Sequence, residues 1–529
     1  MLLAALAVTL AAAPPAARQT FAFVPPSGAD DDTKALGLVL QTRTAEVLRA
    51  TGHFNELHAK QMLSMAGAEA FKPEQFGQDP KKDADVAWYL GADLFLSGVL
   101  EKADTGYMFK GASGVRGQPL SAIKPVKMGD KPTLALNQAI EDISKQVVAF
   151  SKKKVAKWPD LKVGTGSDEA LLAYARCHAT VLRQSMGIES PVTLNADVVT
   201  KAIDDCKKAL ELDPKFTQAK LALALAYAIE GSDVEATKLL AETGEQDTAV
   251  YWTARFWLVT RYQTPEAGEQ VLRAAIEKRP GFLLAQIYLC EELTALGQYE
   301  KALKACEEAA AATPKGVFPL LRVGKALARN GKMKEAIEKS QDALKLEPAA
   351  LKSREASLQL ASRFIDAGNP NEAIDILEQI ANDPQARGEE LLRLGYAFQL
   401  KGEAEAAKGL YDKAIAKATS PGEWRTRGRA WYNLATLNAK AGAKDKAKAA
   451  LQESMKTGFR AKKFEGPLAE IAREVERADL QAAQSGKSKL APVSTPPREV
   501  NLFQVDASGE LEVGPSGKQP PPDFIKLKF

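Results

Sequence analysis

The sequence predicts a mainly α-helical chain: a solenoid of about seven to eight helical hairpins, preceded by a small α/β domain and followed by an extended tail. Three observations predict this architecture. Prolines, glycines and alanines recur through the middle of the chain with a period near 34 residues. A strand-and-turn pattern replaces that period near the N-terminus. Proline becomes frequent near the C-terminus, where seven of the 28 prolines fall in residues 492–522.

Composition limits the function classes. Apolar residues make up 45% and charged residues 26% of the 529 residues, as in globular proteins. The 71 basic and 67 acidic residues leave a charge of +4, which does not indicate nucleic acid as a partner. The three histidines, His53, His58 and His178, share no metal-ligand spacing with a cysteine. We therefore expect no metal and no cofactor.

The first residues predict export. Residues 2–13 form an uncharged Leu/Ala-rich run, too short to span a bilayer and typical of a signal peptide. We assign residues 1–19 to a signal peptide and expect a periplasmic location, with no transmembrane anchor in the later sequence. No basic residue precedes the run, and Pro14 and Pro15 interrupt its best cleavage site.

The period is visible in three residue types. Pro280, Pro314 and Pro348 are 34 residues apart. Turn glycines recur at Gly231, Gly297, Gly331, Gly368, Gly402 and Gly442, and each precedes an alanine by about five residues, at Ala236, Ala302, Ala336, Ala373, Ala407 and Ala447. In the unit of residues 318–348, small residues at Gly324 and Ala336 allow two helices to approach closely. One hairpin cannot bury its apolar face alone, so the units must stack.

Residues 212–454 resemble the tetratricopeptide family throughout, with a looser unit opening at Asp168. We assign residues 157–487 to this superhelix. The unit of residues 251–280 departs from the pattern, because Arg255 stands where a small residue is usual and a turn glycine is missing. The resemblance implies that the first helix of each unit lines a concave wall that binds a protein.

Residues 20–156 predict a different fold. A strand at residues 21–24, a helix at 34–51, a helix at 83–91, a strand at 94–100 with a hairpin return at 107–112, and a helix at 133–152 give α/β order. Residues 91–100 (GADLFLSGVL) resemble the core motif of the N-terminal domain of TolB-like proteins. The resemblance implies an envelope-associated interaction domain without catalytic residues. The strand end usual in that family is missing, and residues 114–131 form an atypical loop.

Transferring the family's inner-wall positions predicts a partner groove. These positions are Leu221, Leu225, Trp252, Phe256, Ile287, Glu291, Leu321, Lys325, Leu358, Ser362, Leu392, Tyr396, Tyr432 and Thr436. The family's Lys/Asn clamp for a terminal carboxylate is absent. A mostly apolar, aromatic wall favours an apolar helix or extended segment of a protein partner. The alternative is that the chain's own tail or N-terminal domain packs these residues.

The four cysteines allow two interpretations. Cys177, Cys206, Cys290 and Cys306 sit at core positions of the repeats, where free thiols pack as small apolar groups. Cys290 lies seven residues before Gly297 and Cys306 nine after it, so antiparallel helices bring them to similar height. Cys177 and Cys206 flank a loop in the same way. In an oxidising compartment each pair predicts a disulfide.

No catalytic motif survives inspection. Gly486, Lys487 and Ser488 match the end of a phosphate-binding loop, but Gln481 stands where its first glycine is required. The acid pairs at residues 291–292 and 307–308 are typical of solvated helix faces. We therefore expect a protein that is not an enzyme.

The tail, residues 488–529, predicts an extended segment with a β-hairpin at residues 500–513 and a strand at 524–529. That strand either joins a partner's sheet or packs on this chain. The leading hypothesis is a scaffold or adaptor of an envelope machine for secretion, outer-membrane assembly or gliding motility. The alternative is a regulatory protein whose N-terminal domain senses a ligand. Oligomeric state is not predicted by the sequence.

Overall fold

The computed structural model describes residues 18–58, 76–129, 131–160, 163–184, 196–244, 248–262, 265–346, 354–384, 386–419, 423–459, 464 and 466–484. The run at residues 2–13, predicted to be a signal peptide, and the tail with its predicted strands lie outside these residues. A small α/β domain opens the described chain, and a solenoid of helical hairpins follows it. This confirms the predicted fold class for the described part of the chain.

The N-terminal domain is built on one twisted sheet. Its strands are β1 (Gln19–Phe23), β2 (Ser27–Gly28), β3 (Phe54–Leu57), β4 (Leu94–Lys102), β5 (Tyr107–Val115), β6 (Ser121–Ala122) and β7 (Val126–Met128). Strand β1 lies between β3 and β4 and is parallel to both. Strands β4 and β5 form the predicted hairpin, in register from Leu94 opposite Val115 to Lys102 opposite Tyr107. Strands β6 and β7 pair with β5, in a region expected to be a loop.

Three helices pack on this sheet: α1 (Asp31–Ala50), α2 (Pro80–Leu90) and α3 (Pro132–Ser151). Local chemistry sets their ends. The Asp30 carboxylate accepts a hydrogen bond from the Thr33 backbone N–H at 2.8 Å and so caps α1. Gly91 ends α2 with a φ of 97°, in the left-handed region that favours glycine.

Eight hairpins follow, each made of a first and a second helix. The first four hairpins are α4 (Asp168–Gln184) and α5 (Ala196–Leu212), α6 (Thr217–Glu230) and α7 (Asp233–Thr243), α8 (Ala249–Tyr262) and α9 (Pro265–Lys278), and α10 (Leu283–Ala295) and α11 (Tyr299–Ala312). The last four are α12 (Val317–Arg329) and α13 (Met333–Leu346), α14 (Arg354–Asp366) and α15 (Pro370–Ala381), α16 (Gly388–Lys401) and α17 (Ala404–Lys417), and α18 (Trp424–Lys440) and α19 (Lys444–Lys456). Helix α20 (Pro467–Gln484) packs against α18 and α19.

The repeat residues do what their spacing predicted. All six turn glycines have positive φ, from 72° at Gly297 to 101° at Gly231. A β-carbon at Gly324 would lie 3.2 Å from the Ala336 carbonyl oxygen, so the two helices of that hairpin are in close approach. In the atypical unit, the Arg255 guanidinium lies over the Trp252 ring, 5.1 Å from its centroid. This cation–π contact lets a large residue stand at a position usually held by a small one.

First helices of consecutive hairpins pack on one another and form a continuous layer, which we call the inner wall. Helix α4 contacts α6, α6 contacts α8, and the same pattern runs from α10 to α18. The stacked Phe256 and Tyr288 rings, 5.1 Å apart, join α8 to α10. The hairpins therefore stack with their first helices on one side, which places the predicted groove positions along one surface.

Candidate functional site

The N-terminal domain docks directly on the repeats. Helix α1 packs on α4, where the Arg176 Nε lies 2.6 Å from the Asp32 Oδ1. Strand β3 contacts α10, and its Glu56 forms a parallel bridge with Phe282. Helix α2 contacts α12. The domain therefore packs on the first helices of the first, fourth and fifth hairpins.

A buried ion cluster joins the two parts. The Arg279 side chain is fully buried, and its Nη2 lies 2.6 Å from the Glu56 Oε2 and 3.8 Å from the Glu46 Oε1. Glu46 also pairs with Arg43, and the Arg49 Nε lies 3.9 Å from the Glu56 Oε2. Charges this deeply buried are tolerated only when they are paired. The cluster fixes the docking position, because moving either part would leave buried charges without partners.

His178 lies in the same interface. Its ring is stacked on Tyr174, with centroids 5.5 Å apart, and its Nε2 is 3.3 Å from the Thr42 hydroxyl of α1. Burial, with a smaller contribution from His58, lowers the pKa of His178 to about 4. The ring is therefore neutral near pH 7, and acid will charge it inside the interface.

Most predicted groove residues are buried. Leu221, Leu225, Trp252, Phe256, Ile287, Leu321 and Leu392 are each at most 5% exposed. Leu221 faces α1, where Thr42 and Arg43 line the same small cavity of about 10 Å³. In this arrangement these residues are internal packing and a partner cannot reach them. The expectation of a continuous accessible apolar wall is therefore corrected: burial among neighbouring helices, and docking of the N-terminal domain at Leu221, remove these side chains from the surface.

Four predicted groove residues remain accessible, one of them the half-buried Thr436 on α18. Tyr396 on α16 is 38% exposed, while Lys325 and Tyr432 are half-buried. Leu400, one helical turn after Tyr396, is 46% exposed. The Tyr432 ring lies 5.6 Å from that of Phe459. The accessible positions of the predicted groove therefore lie on α12, α16 and α18, while Leu321, Leu358, Ser362 and Leu392 between them are buried.

Two predicted groove positions, Glu291 and Lys325, carry charges, and Arg322, which was not predicted, joins them. The Glu291 carboxylate receives the Arg322 Nε at 3.0 Å and the Lys325 Nζ at 2.9 Å. Burial alone would raise the pKa of Glu291, but Arg322 and Lys325 outweigh it and lower the pKa. These two ion pairs link α10 to α12, at the edge of the surface on which the N-terminal domain packs.

Two arginines that we did not predict lie deeper in the wall. Arg363 is 3% exposed, with its Nη1 3.2 Å from the Asp366 Oδ2. Arg393 is 7% exposed, lies 2.8 Å from the Glu389 Oε1 and donates to the Ser362 hydroxyl. Arg322 and Arg393 each follow a predicted wall residue directly in sequence. Their regular spacing was the signal that could have identified them.

Both cysteine pairs lie at disulfide geometry. The sulfur atoms of Cys177 and Cys206 are within bonding distance, with α-carbons 5.4 Å apart. Those of Cys290 and Cys306 are also within bonding distance, with α-carbons 4.9 Å apart. Each pair joins the two helices of one hairpin, and these are the first and fourth hairpins. Oxidation of both pairs stays a prediction for the protein in its own compartment.

Two further features concern metal binding and membrane insertion within the described ranges. There, no group of three or more His, Cys, Asp or Glu residues is arranged to hold a metal ion. Among the same residues, no helix combines the length and apolar character that crossing a bilayer requires.

Comparison with known proteins gives fold-level likenesses. No protein-family model and no curated protein matches the sequence. MamA residues 41 to the end, from Desulfovibrio magneticus RS-1, is 21% identical over 37% of this chain and 96% of that chain, with a TM-score of 0.26. The human IFIT1 dimer with m7Gppp-AAAA is 17% identical over 66% and 78%, with a TM-score of 0.38. A tetratricopeptide repeat protein from Parabacteroides merdae ATCC 43184 is 12% identical over 57% and 98%, with a TM-score of 0.36. The assignment of tetratricopeptide-type hairpins therefore rests on the repeat geometry of this chain.

Proposed function

We propose that this chain is a non-catalytic, exported scaffold that binds a protein partner through the inner wall of its last four hairpins. One observation carries the proposal. Tyr396 and Leu400 are large apolar side chains on α16, 38% and 46% exposed, in the part of the wall that the N-terminal domain does not cover. Exposed aromatic and aliphatic side chains that share a concave surface are typical anchors of protein interfaces.

Two features support export. The uncharged run at residues 2–13 is typical of a signal peptide, and two cysteine pairs at bonding distance suit an oxidising compartment. The proposed location is the periplasm, and the proposed partner is a component of an envelope machine such as those of secretion, outer-membrane assembly or gliding motility. The choice among these machines rests on analogy of architecture. Mass spectrometry of the mature N-terminus tests export, and an intact Met1 in a cytosolic fraction would contradict it.

The binding proposal is tested by capture from crosslinked cell envelopes. Tyr396→Ala combined with Leu400→Ala removes both exposed anchors, and each central anchor contributes about 2 kcal/mol or more to an interface. We expect stoichiometric capture of the partner to weaken by well over tenfold, since about 1.4 kcal/mol corresponds to a factor of ten.

The matched control is Val234→Ala on α7, a second helix. Val234 is 59% exposed, so this control removes an exposed apolar side chain that lies away from the inner wall. Capture by the control should equal that of the wild type. Equal capture by the wild type and the double variant would reject the last four hairpins as the binding surface.

A further inference from the structure

The inner wall changes its charge along the chain. In sequence, the first helices of the first four hairpins carry five basic and five acidic residues. Those of the last four carry eleven basic and four acidic residues, and α12 and α18 have no acidic residue. The basic part of the wall therefore begins at α12, where the contacts of the N-terminal domain end, and continues to α18.

The structure brings basic side chains of three first helices together. Arg393 on α16 donates a hydrogen bond to the hydroxyl of Ser362, the residue that precedes Arg363 on α14. The pKa of Arg363 is lowered to about 10, mainly by burial; Asp366 opposes the shift, and the charges of Arg329 and Arg393 add to it. Arg329, Arg363 and Arg393 belong to α12, α14 and α16, so these helices contribute to one positive region. At its edge, Lys325 and Arg322 share the single carboxylate of Glu291. Arg363 and Arg393 are buried and paired, so the accessible charge of this region lies on the half-buried Arg329 of α12 and Arg429 of α18. A ligand with several carboxylates would complement these two arginines.

Apolar surface lies within the same region. Tyr396 and Leu400 are exposed on α16, and Tyr432 is half-buried on α18. Their neighbours on the wall are the arginines described above. The surface therefore suits a segment that carries both acidic and apolar side chains.

The chain itself contains such a segment beyond the described residues. Residues 499–517 contain four acidic residues, Glu499, Asp506, Glu510 and Glu512, and no basic residue. Six apolar residues are interspersed: Val500, Leu502, Phe503, Val505, Leu511 and Val513. Within the 45 residues that follow α20, the acidic residues are concentrated in this stretch. Lys518, Lys526 and Lys528 all lie after it.

The attachment point allows the segment to reach the wall. Helix α20 packs on α18 and α19 and ends at Gln484. Glu499 lies 15 residues further along the chain. A linker of this length spans at most about 50 Å. Packed helices lie about 10 Å apart, so α12 is about 30 Å along the wall from α18.

We propose that residues 499–513 bind the basic inner wall of the last four hairpins and compete there with the protein partner. The inference rests on the proposed function, because it assigns an internal competitor to the same surface. A short tether gives an effective concentration of about 1 mM, so a segment with a Kd of about 0.1 mM would be bound about 90% of the time. The partner must then displace it, and the partner's own binding segment is expected to be acidic and apolar as well.

The first experiment uses the full-length chain and measures hydroxyl-radical oxidation of Tyr396 and Leu400. One variant replaces the four acids by their amides (Glu499→Gln, Asp506→Asn, Glu510→Gln and Glu512→Gln). We expect oxidation of both residues to rise by about fivefold or more, because the wall goes from mostly bound to mostly free. Val234, exposed on α7, is the internal reference and should not change. Equal oxidation of Tyr396 in wild type and variant would overturn the proposal.

The second experiment adds a labelled peptide of residues 498–514 in trans. It should bind the amide variant at least about tenfold more tightly than it binds the wild type, in which the tethered segment competes. Arg329→Gln with Arg429→Gln should abolish binding to the amide variant. Lys413→Gln with Lys446→Gln, which neutralises exposed lysines of α17 and α19, should leave it unchanged. A peptide that binds wild type and amide variant equally would overturn the proposal, since the chain's own segment would then not cover the wall.

Partner capture separates the two proposals. If the amide variant captures the partner no better than wild type while Tyr396→Ala with Leu400→Ala loses capture, the binding surface stands and the competing segment fails. If the oxidation changes as expected while the Tyr396 and Leu400 variant captures normally, the segment stands and the proposed partner surface fails.

Discussion

The first four and the last four hairpins are built from the same repeat but have different environments. In the first four, the N-terminal domain docks on α4 and α10, two hairpins contain a cysteine pair, and the predicted groove residues are buried. In the last four, Tyr396 and Leu400 are exposed, and basic residues outnumber acidic ones on the first helices. Leu321, Leu358 and Leu392 of the last four hairpins are buried as well, so the two halves differ at a few positions only: Tyr396 and Leu400 are exposed where the first four hairpins have buried side chains.

The largest expected effect comes from the buried ion cluster. Arg279→Ala removes the nearest partner of Glu56 and leaves it only the more distant Arg49, while Glu46 keeps Arg43; removing one member of a buried ion pair costs about 3–5 kcal/mol. We expect the free energy of unfolding in urea to fall by that amount and the N-terminal domain to become sensitive to protease. Arg273→Ala on α9, where the side chain is 53% exposed, is the control and should change little. Two variants of equal stability would mean that the cluster does not hold the domain in place.

Two aromatic residues of the predicted groove, one from each half of the wall, test the difference in burial directly. Trp252→Ala removes a side chain that is 2% exposed and should cost about 3–5 kcal/mol of stability. Tyr396→Ala removes one that is 38% exposed and should cost less than about 1 kcal/mol. Thermal unfolding measures both. Similar shifts in Tm would show that the two halves of the wall do not differ in burial in solution.

We expect the two disulfides to stabilise only the first four hairpins, which contain both cysteine pairs. Cys290→Ala with Cys306→Ala opens a loop of 16 residues, which the chain-entropy model values at about 3 kcal/mol. Reduction of the wild type should lower stability by more than this, because it also opens the loop between Cys177 and Cys206, and reduction of a variant lacking all four cysteines should do nothing. Mass spectrometry after alkylation without reductant provides the direct check. Four alkylated cysteines in the mature protein would contradict the disulfides.

A smaller effect is expected from pH. His178 has a pKa of about 4 in the folded chain and an ordinary value near 6.5 when unfolded, so the unfolded chain binds a proton first as pH falls. Stability is therefore fully present above about pH 6.5 and is lost as pH falls towards 4, by at most about 1.4 kcal/mol per pH unit. His178→Phe keeps a ring against Tyr174 and should remove this dependence.

The pH measurement needs one background substitution. Asp83 is buried on α2, and burial raises its pKa to about 7, although hydrogen bonding from the Gly77 backbone N–H and the Ser97 hydroxyl opposes the shift. Its contribution has the opposite sign: it is present below the unfolded pKa of about 4 and is lost as pH rises through 7. Asp83→Asn in both proteins removes this overlap. If the His178→Phe variant and the chain that retains His178 show the same slope of stability against pH in that background, His178 is excluded as the titrating group.

Several elements were predictable because their signals are local. The six turn glycines and the spaced prolines identified the hairpins, and Asp168 marked the start of α4 correctly. The acids at residues 30–32, followed by an amphipathic run, identified α1. Strands β6 and β7 were missed because each is at most three residues long and leaves little alternation in the sequence. The resemblance of the N-terminal domain to TolB-like proteins stays a prediction.

The sequence by itself determined the repeat, the turn positions and the order of helices and strands, since helical and strand periodicity and turn chemistry act over a few residues. Only the tertiary structure decided which half of the inner wall is open. That outcome depends on contacts such as Arg279 with Glu56, which are 223 residues apart in sequence. Periodicity reports which side of its own helix a residue lies on, but it carries no information about what packs against that side. The burial of Trp252 and the exposure of Tyr396 follow from those neighbours, although both residues occupy the same repeat face.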